Sequence, residues 1–137
     1  MEKIQTTLNP YLTFAGNCRE VMNFYQRVFG GKLELMTFEN SPMEVPDDYM
    51  DKIMHSVLKF GDATIMASDG MPGQTFNYGS GFSIIVALPT VEEAESTFNK
   101  LAEGGKIIMP FDMTFWNSMF GYCTDSFGIN WMVSCEI

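Results

Sequence analysis

A chain of 137 residues has room for one domain, and 46% hydrophobic with 14% aromatic residues is enough for a real core, which excludes a disordered chain. A net charge of −9 and a pI of about 4.4 exclude the basic surface that a nucleic-acid partner or an anionic membrane would require. No signal peptide opens the chain and no apolar run approaches the roughly 18 residues of a membrane span.

Residues 1–8 are a short lead-in. Residues 9–15 alternate as a strand does, with Leu12 and Phe14 on one face and Tyr11 and Thr13 on the other. Asn17 is placed to cap a helix, with Glu20 three positions on as in a capping box. Val21, Tyr25 and Val28 give that helix its apolar stripe, and Gly30-Gly31 stops it near Phe29. A strand is predicted at about 32–38. An acidic stretch follows (Glu39, Glu44, Asp47, Asp48, Asp51), read as a solvated loop. Strands at about 53–60 and 63–68 flank a Gly61-Asp62 turn, and residues 69–81 are rich in turn formers.

The order then repeats. A strand is predicted at about 82–88, and Thr90 with Glu93 forms a second capping box. A helix with buried Val91, Ala94, Phe98 and Leu101 ends at Gly104-Gly105, and strands follow at about 106–110, 119–124 and 129–135. Phe24 to Leu33 and Phe98 to Ile107 are the same passage written twice, 74 positions apart: a helix tail, Gly-Gly, then a Lys that opens a strand. The expected fold is α+β, two β-α-β-β-β repeats making a curved eight-stranded mixed sheet with its helices on the convex face and a cleft on the concave one. The expected boundaries are one domain over 1–137, with repeat one at about 9–68, a linker at about 69–81 and repeat two at about 82–137.

Cys18, Cys123 and Cys135 are odd in number and fit no zinc spacing, which points to a reduced, cytoplasmic protein. Cys18, at a helix start, reads as structural or as an activated thiol. His55 is the single histidine, and by the repeat it is matched with Tyr122. It reads either as a half-buried histidine satisfied by a hydrogen bond or as a ligand-contacting base. Pro110 to Asn117 is expected to be an irregular aromatic loop, with Trp116 as a lid or a packing residue. Asp69 and Asp125 read as turn formers before glycine.

The chain resembles the vicinal oxygen chelate superfamily of glyoxalase, bleomycin-resistance and extradiol-dioxygenase proteins, and within it the PhnB-like branch. The resemblance spans nearly the whole chain. It is carried by Pro10-Tyr11-Leu12-x-Phe14, Gly16-Asn17-Cys18-x-Glu20, Phe24-Tyr25-x-x-Val28-Phe29-Gly30-Gly31, Met54-His55, Ser68-Asp69, Leu101-Ala102-x-Gly104-Gly105, Thr114-Phe115-Trp116, Phe120-Gly121, Asp125-x-Phe127-Gly128 and Trp131-Met132. It implies the glyoxalase fold, a homodimer, and a divalent metal held by His, Glu or Gln from the first and fourth strands of each half. The matching positions here read Asn9, Met66, Ser83 and Met132, none of them His, Glu or Asp, and thioethers are poor ligands for hard cations.

The expectation is therefore a homodimeric, cytoplasmic small-molecule-binding protein with no cofactor and no nucleic-acid or membrane partner. Its metal-free cleft would be lined by Tyr11, Thr13, His55, Met66, Trp116, Tyr122 and Met132. Whether it is also an enzyme stays open. The alternative is a lyase, isomerase or dioxygenase with a displaced divalent-metal site, using His55 and an acid such as Asp69 or Asp125. A third reading is an interaction module built on the 110–117 aromatics. No glycine-rich nucleotide loop follows a parallel strand, as a doubly wound methyltransferase would need.

Overall fold

The computed structural model describes residues 5–137 and divides into two compact units, the first ending at Phe76 and the second running from Asn77 to Ile137. The first unit contains β1 (Tyr11–Phe14), α1 (Cys18–Phe29), β2 (Lys32–Thr37), β3 (Ile53–Phe60) and β4 (Ala63–Asp69). Its sheet has the order β1-β4-β3-β2, with β1 parallel to β4 and the other pairs antiparallel. The second unit contains β5 (Ile84–Ala87), α2 (Val91–Ala102), β6 (Lys106–Met113), β7 (Ser118–Thr124) and β8 (Asn130–Glu136). Its sheet has the order β5-β8-β7-β6, with the same one parallel pair. The predicted β-α-β-β-β pattern is thus present twice, and the eight strands form two four-stranded mixed sheets.

Alternation decides which sheet face is covered. In the first unit Leu12, Phe14, Leu58, Ile65 and Ala67 are buried against Val21, Met22, Tyr25 and Val28 of α1. In the second, Cys123, Trp131, Val133 and Cys135 are buried on the side of Ala94, Phe98 and Leu101 of α2. Among the described residues, α1 and α2 each pack on one face of the sheet of their own unit and leave the opposite face open.

The repeated Gly-Gly does two different jobs. Gly30 ends α1 with φ 76° and ψ −158°, and Gly104 likewise has φ 76° just past α2. The second glycine of each pair is needed for close approach. A Cβ on Gly31 would lie 2.1 Å from the Lys59 carbonyl oxygen, and one on Gly105 would lie 2.1 Å from that of Thr124. These are equivalent positions on β3 and β7.

Two local expectations differ from the structure. Asn17 makes no side-chain cap; the Cys18 amide instead donates to Asp69 Oδ1 at 2.9 Å, and the Ile53 amide donates to Asp69 Oδ2 at 2.9 Å. A buried carboxylate brought in by β4 satisfies the helix start better than the adjacent amide. In α2 the expected Thr90 cap is present, accepting from the Glu93 amide at 3.2 Å. The irregular stretch expected at 110–117 contracts to Thr114–Asn117, because β6 continues to Met113. Pro110 is tolerated there because β6 is an edge strand whose register shifts between Met109 and Asp112.

Candidate functional site

The helix-free sheet faces hold six of the seven expected lining residues. In the first unit Tyr11 is the register partner of Met66, and Met66 of Val57. One step along, Thr13 is paired with Ser68. His55, two residues before Val57, shares this face. The Tyr11 hydroxyl and His55 Nδ1 are 3.0 Å apart, and the two rings stack with centroids 5.7 Å apart at 22°. Tyr11, Thr13, His55 and Met66 therefore form one cluster, and the histidine is satisfied at Nδ1 by a phenol.

In the second unit Ile85, Met132 and Tyr122 lie in one row, and Ala87, Ser134 and Phe120 in the next. The Tyr122 hydroxyl accepts from Ser83 Oγ at 3.2 Å. The shared register corrects the predicted match between His55 and Tyr122. Met66 and Met132 are equivalent, so Tyr122 stands where Val57 does and Phe120 stands where His55 does. The β3–β4 turn has four residues between Lys59 and Thr64, and the β7–β8 turn has five between Thr124 and Asn130. A two-residue slip keeps a side chain on the same face, so alternation alone did not reveal it.

Trp116 sits in the turn between β6 and β7, with its indole 6.3 Å from the Phe120 ring at 62° and 4.8 Å from Phe115. Asn117 has φ 63°, and Thr114 closes the turn by bonding Ser118 through both its amide and its hydroxyl. Trp116 and Phe120 border a cavity of about 420 Å³ in this unit, completed by Ile85, Asn117, Ser118, Ser134, Glu136 and Ile137. Of these eight residues the sequence offered only Trp116 as a lining residue, and Phe120, Ser134 and Glu136 are among those it missed. The period-2 alternation from Tyr122 and Met132 was the signal that could have found them.

The carboxylates considered as acids face elsewhere. Asp69 is buried under α1 as described. Asp125 holds the β7–β8 turn, accepting at Oδ1 from the Phe127 and Ile129 amides and at Oδ2 from the Trp131 indole N–H. Neither belongs to the open faces. Cys18 lies at the start of α1 but is fully buried; burial pushes its thiol up to about 12, against a weaker opposing pull from the Ser56 bond. That describes an inert structural cysteine. Cys123 is likewise raised, to about 11, by burial and then by Asp125.

The donor set does not fit the metal that the superfamily resemblance implies. Met66 and Met132 offer thioethers in rows shared with Tyr11, Val57, Ile85 and Tyr122, and Ser83 is bonded to Tyr122. Among the described residues no three His, Cys, Asp or Glu side chains gather in a way that could hold a metal ion. Among them, too, no helix is long and apolar enough to cross a membrane.

A family model described as 3-demethylubiquinone-9 3-methyltransferase matches residues 6–134. Protein YjdN of Escherichia coli K12 is 38% identical over 93% of each chain. The solved structure of PA1353 from Pseudomonas aeruginosa is 45% identical over 96% of this chain and 98% of that one, with a TM-score of 0.87. A Bacillus cereus structure titled putative 3-demethylubiquinone-9 3-methyltransferase, PhnB protein, is 26% identical over 95% and 99%, with a TM-score of 0.75. A glyoxalase/bleomycin resistance/dioxygenase family enzyme from Burkholderia phytofirmans, 16% identical over 93% and 97% with a TM-score of 0.62, shares the fold.

Proposed function

We propose, for a chain that belongs to the PhnB-like family of the glyoxalase fold, that it is a binding protein for a small, partly apolar molecule held on a helix-free sheet face. The observation that supports this reading is the 420 Å³ cavity beside Trp116, where aromatic and aliphatic walls meet two serine hydroxyls, an amide and one carboxylate. That volume and mixture suit a small organic ligand. The cluster of Tyr11, Thr13, His55 and Met66 offers a comparable mixture on the first sheet, and Tyr122 and Met132 extend the second. We read the protein as cytoplasmic and homodimeric, and as working without a cofactor.

The family description names a methyltransferase. Among the described residues the parallel strand pairs are β1 with β4 and β5 with β8, and β1 and β5 are edge strands. This is not the central parallel strand followed by a glycine-rich loop of a doubly wound methyltransferase.

Native mass spectrometry of protein purified from its own host tests the reading. A retained small molecule, lost in Trp116→Ala, supports it. Bare polypeptide mass in every preparation, with no small molecule taken up from a ligand library, overturns it. A second reading is a lyase, isomerase or dioxygenase with a displaced metal site, and the Tyr11–His55 pair favours it, since that imidazole is held in one orientation on an open face. A thermal-shift scan with Zn²⁺, Ni²⁺, Mn²⁺ and Fe²⁺ separates the two. A single tight metal that His55→Ala abolishes would establish the second.

A further inference from the structure

We propose that the cavity of the second unit takes a small organic cation, with its ammonium group held between the Glu136 carboxylate and the aromatic corner of Trp116 and Phe120. The proposal rests on the small-molecule-binding reading above and names the ligand class. Glu136 is the one ionisable side chain among the residues lining the cavity, and no lysine, arginine or histidine is among them. The indole and phenyl rings meet edge to face at 62° with centroids 6.3 Å apart, and both border the cavity. Aromatic faces attract cations through their ring quadrupoles, and a carboxylate beside them adds an ion pair. Ser118, Ser134 and Asn117 supply further polar atoms for a substituted amine, and Ile85 supplies an apolar surface for its body. The net charge of −9 also favours the approach of a cation over that of an anion.

The internal repeat shows that this chemistry is not required by the fold. Position for position on the shared register, Phe120 corresponds to His55 and Ser134 to Ser68. Glu136, two residues beyond Ser134, corresponds to Gly70, so the first unit carries no carboxylate there. A carboxylate and an aromatic corner therefore occur together in one of the two copies of the motif.

The test is calorimetric titration of the full chain with benzyltrimethylammonium, benzyl alcohol and benzoate, three probes that share a ring and differ in charge. The cation is expected to bind best. Glu136→Gln should weaken it about threefold, as for a partly exposed ion pair. Trp116→Ala should weaken it about fivefold, as for loss of a cation–π wall. Glu136 lies exposed at the end of β8, so the glutamine variant keeps the fold. Equal binding of cation and alcohol, or a cation preference unchanged in Glu136→Gln, overturns the proposal while leaving small-molecule binding intact. No binding of any probe, with no ligand captured from the host, overturns both.

Discussion

The carboxylate of Asp69 reaches from the last residue of β4 to the amide of Cys18, 2.9 Å away, and so holds the first turn of α1 to the sheet it packs on. Its second oxygen takes the amide of Ile53 at the start of β3. One buried side chain thus joins three elements. Asp69→Ala leaves two buried amides without acceptors and is expected to destabilise the protein by about 3 kcal/mol in urea unfolding. Asp69→Asn keeps one acceptor oxygen and should cost less. Asn17→Ala, removing a residue that makes no side-chain cap, should cost almost nothing. If Asn17→Ala proves the more damaging change, the helix start is held differently.

The two glycines of each repeated pair are predicted to respond differently to alanine. At Gly31 and Gly105 a methyl would meet a strand carbonyl oxygen at 2.1 Å, and neither backbone can retreat without parting β2 from β3 or β6 from β7. Gly31→Ala and Gly105→Ala should each cost about 4 kcal/mol or more. Gly30→Ala meets nothing within 4 Å and suffers only from its φ of 76°, so about 2 kcal/mol is expected. Chemical denaturation of the three variants checks the order.

Those glycines show how much was legible. Helix, stop and strand were readable in both halves because amphipathic spacing and glycine punctuation are local signals, and their recurrence fixed the β-α-β-β-β order. The role of Gly31 and Gly105 was not readable, since it depends on a carbonyl nearly 30 residues away in the first half and nearly 20 in the second. Asp69 replaced Asn17 as the cap for the same reason. Alternation was enough to place Tyr11, Thr13, His55 and Met66 on one sheet face. The pairing of Tyr11 with His55 needed the lateral register across β4, which no local pattern records.

The buried thiols make stability fall in alkali. Cys18 is raised from 9.0 to about 12 and Cys123 from 9.0 to about 11, in both cases first by burial. A group whose proton is held more tightly in the folded state stabilises fully below its unfolded pKa. That contribution is lost as the pH rises from about 9 towards the folded values, because the unfolded chain ionises first. Melting temperature should therefore decline from pH 9 upward, and Cys18→Ala should flatten the decline. In the native state at pH 8 neither thiol should react with a disulfide reagent at an appreciable rate, while urea should release both. Prompt native labelling of Cys18 would restore the activated-thiol reading.

The hydrogen bond between Tyr11 and His55 is exposed, so its removal should matter little for stability. Tyr11→Phe is expected to change unfolding free energy by no more than about 1 kcal/mol. It should alter the tautomer balance of His55, visible in the long-range nitrogen–proton spectrum of the imidazole, since Nδ1 loses its phenolic partner. If a ligand occupies the first sheet face, Tyr11→Phe and His55→Ala should weaken it together, and the double variant should be no worse than the more damaging single one.

The two edge strands that the repeat makes equivalent differ in how they are protected. On β2 the exposed positions include Lys32 and Glu34, whose side chains form an ion pair at 3.2 Å, a charged edge that discourages pairing with another chain. On β6 the residue after Lys106-Ile107 is Ile108 instead of a glutamate, and Ile107, Ile108, Met109 and Met113 are all 43–53% exposed. On the homodimeric reading proposed above, an apolar, unguarded edge is where a second copy of the chain would pack. Ile108→Glu, which writes the β2 guard into β6, is predicted to shift the mass measured by light scattering from dimer to monomer with the circular dichroism spectrum unchanged. Glu34→Lys on the guarded edge should leave the mass alone. A dimer that survives Ile108→Glu, or a wild-type chain that is monomeric at high concentration, rules β6 out as the seam.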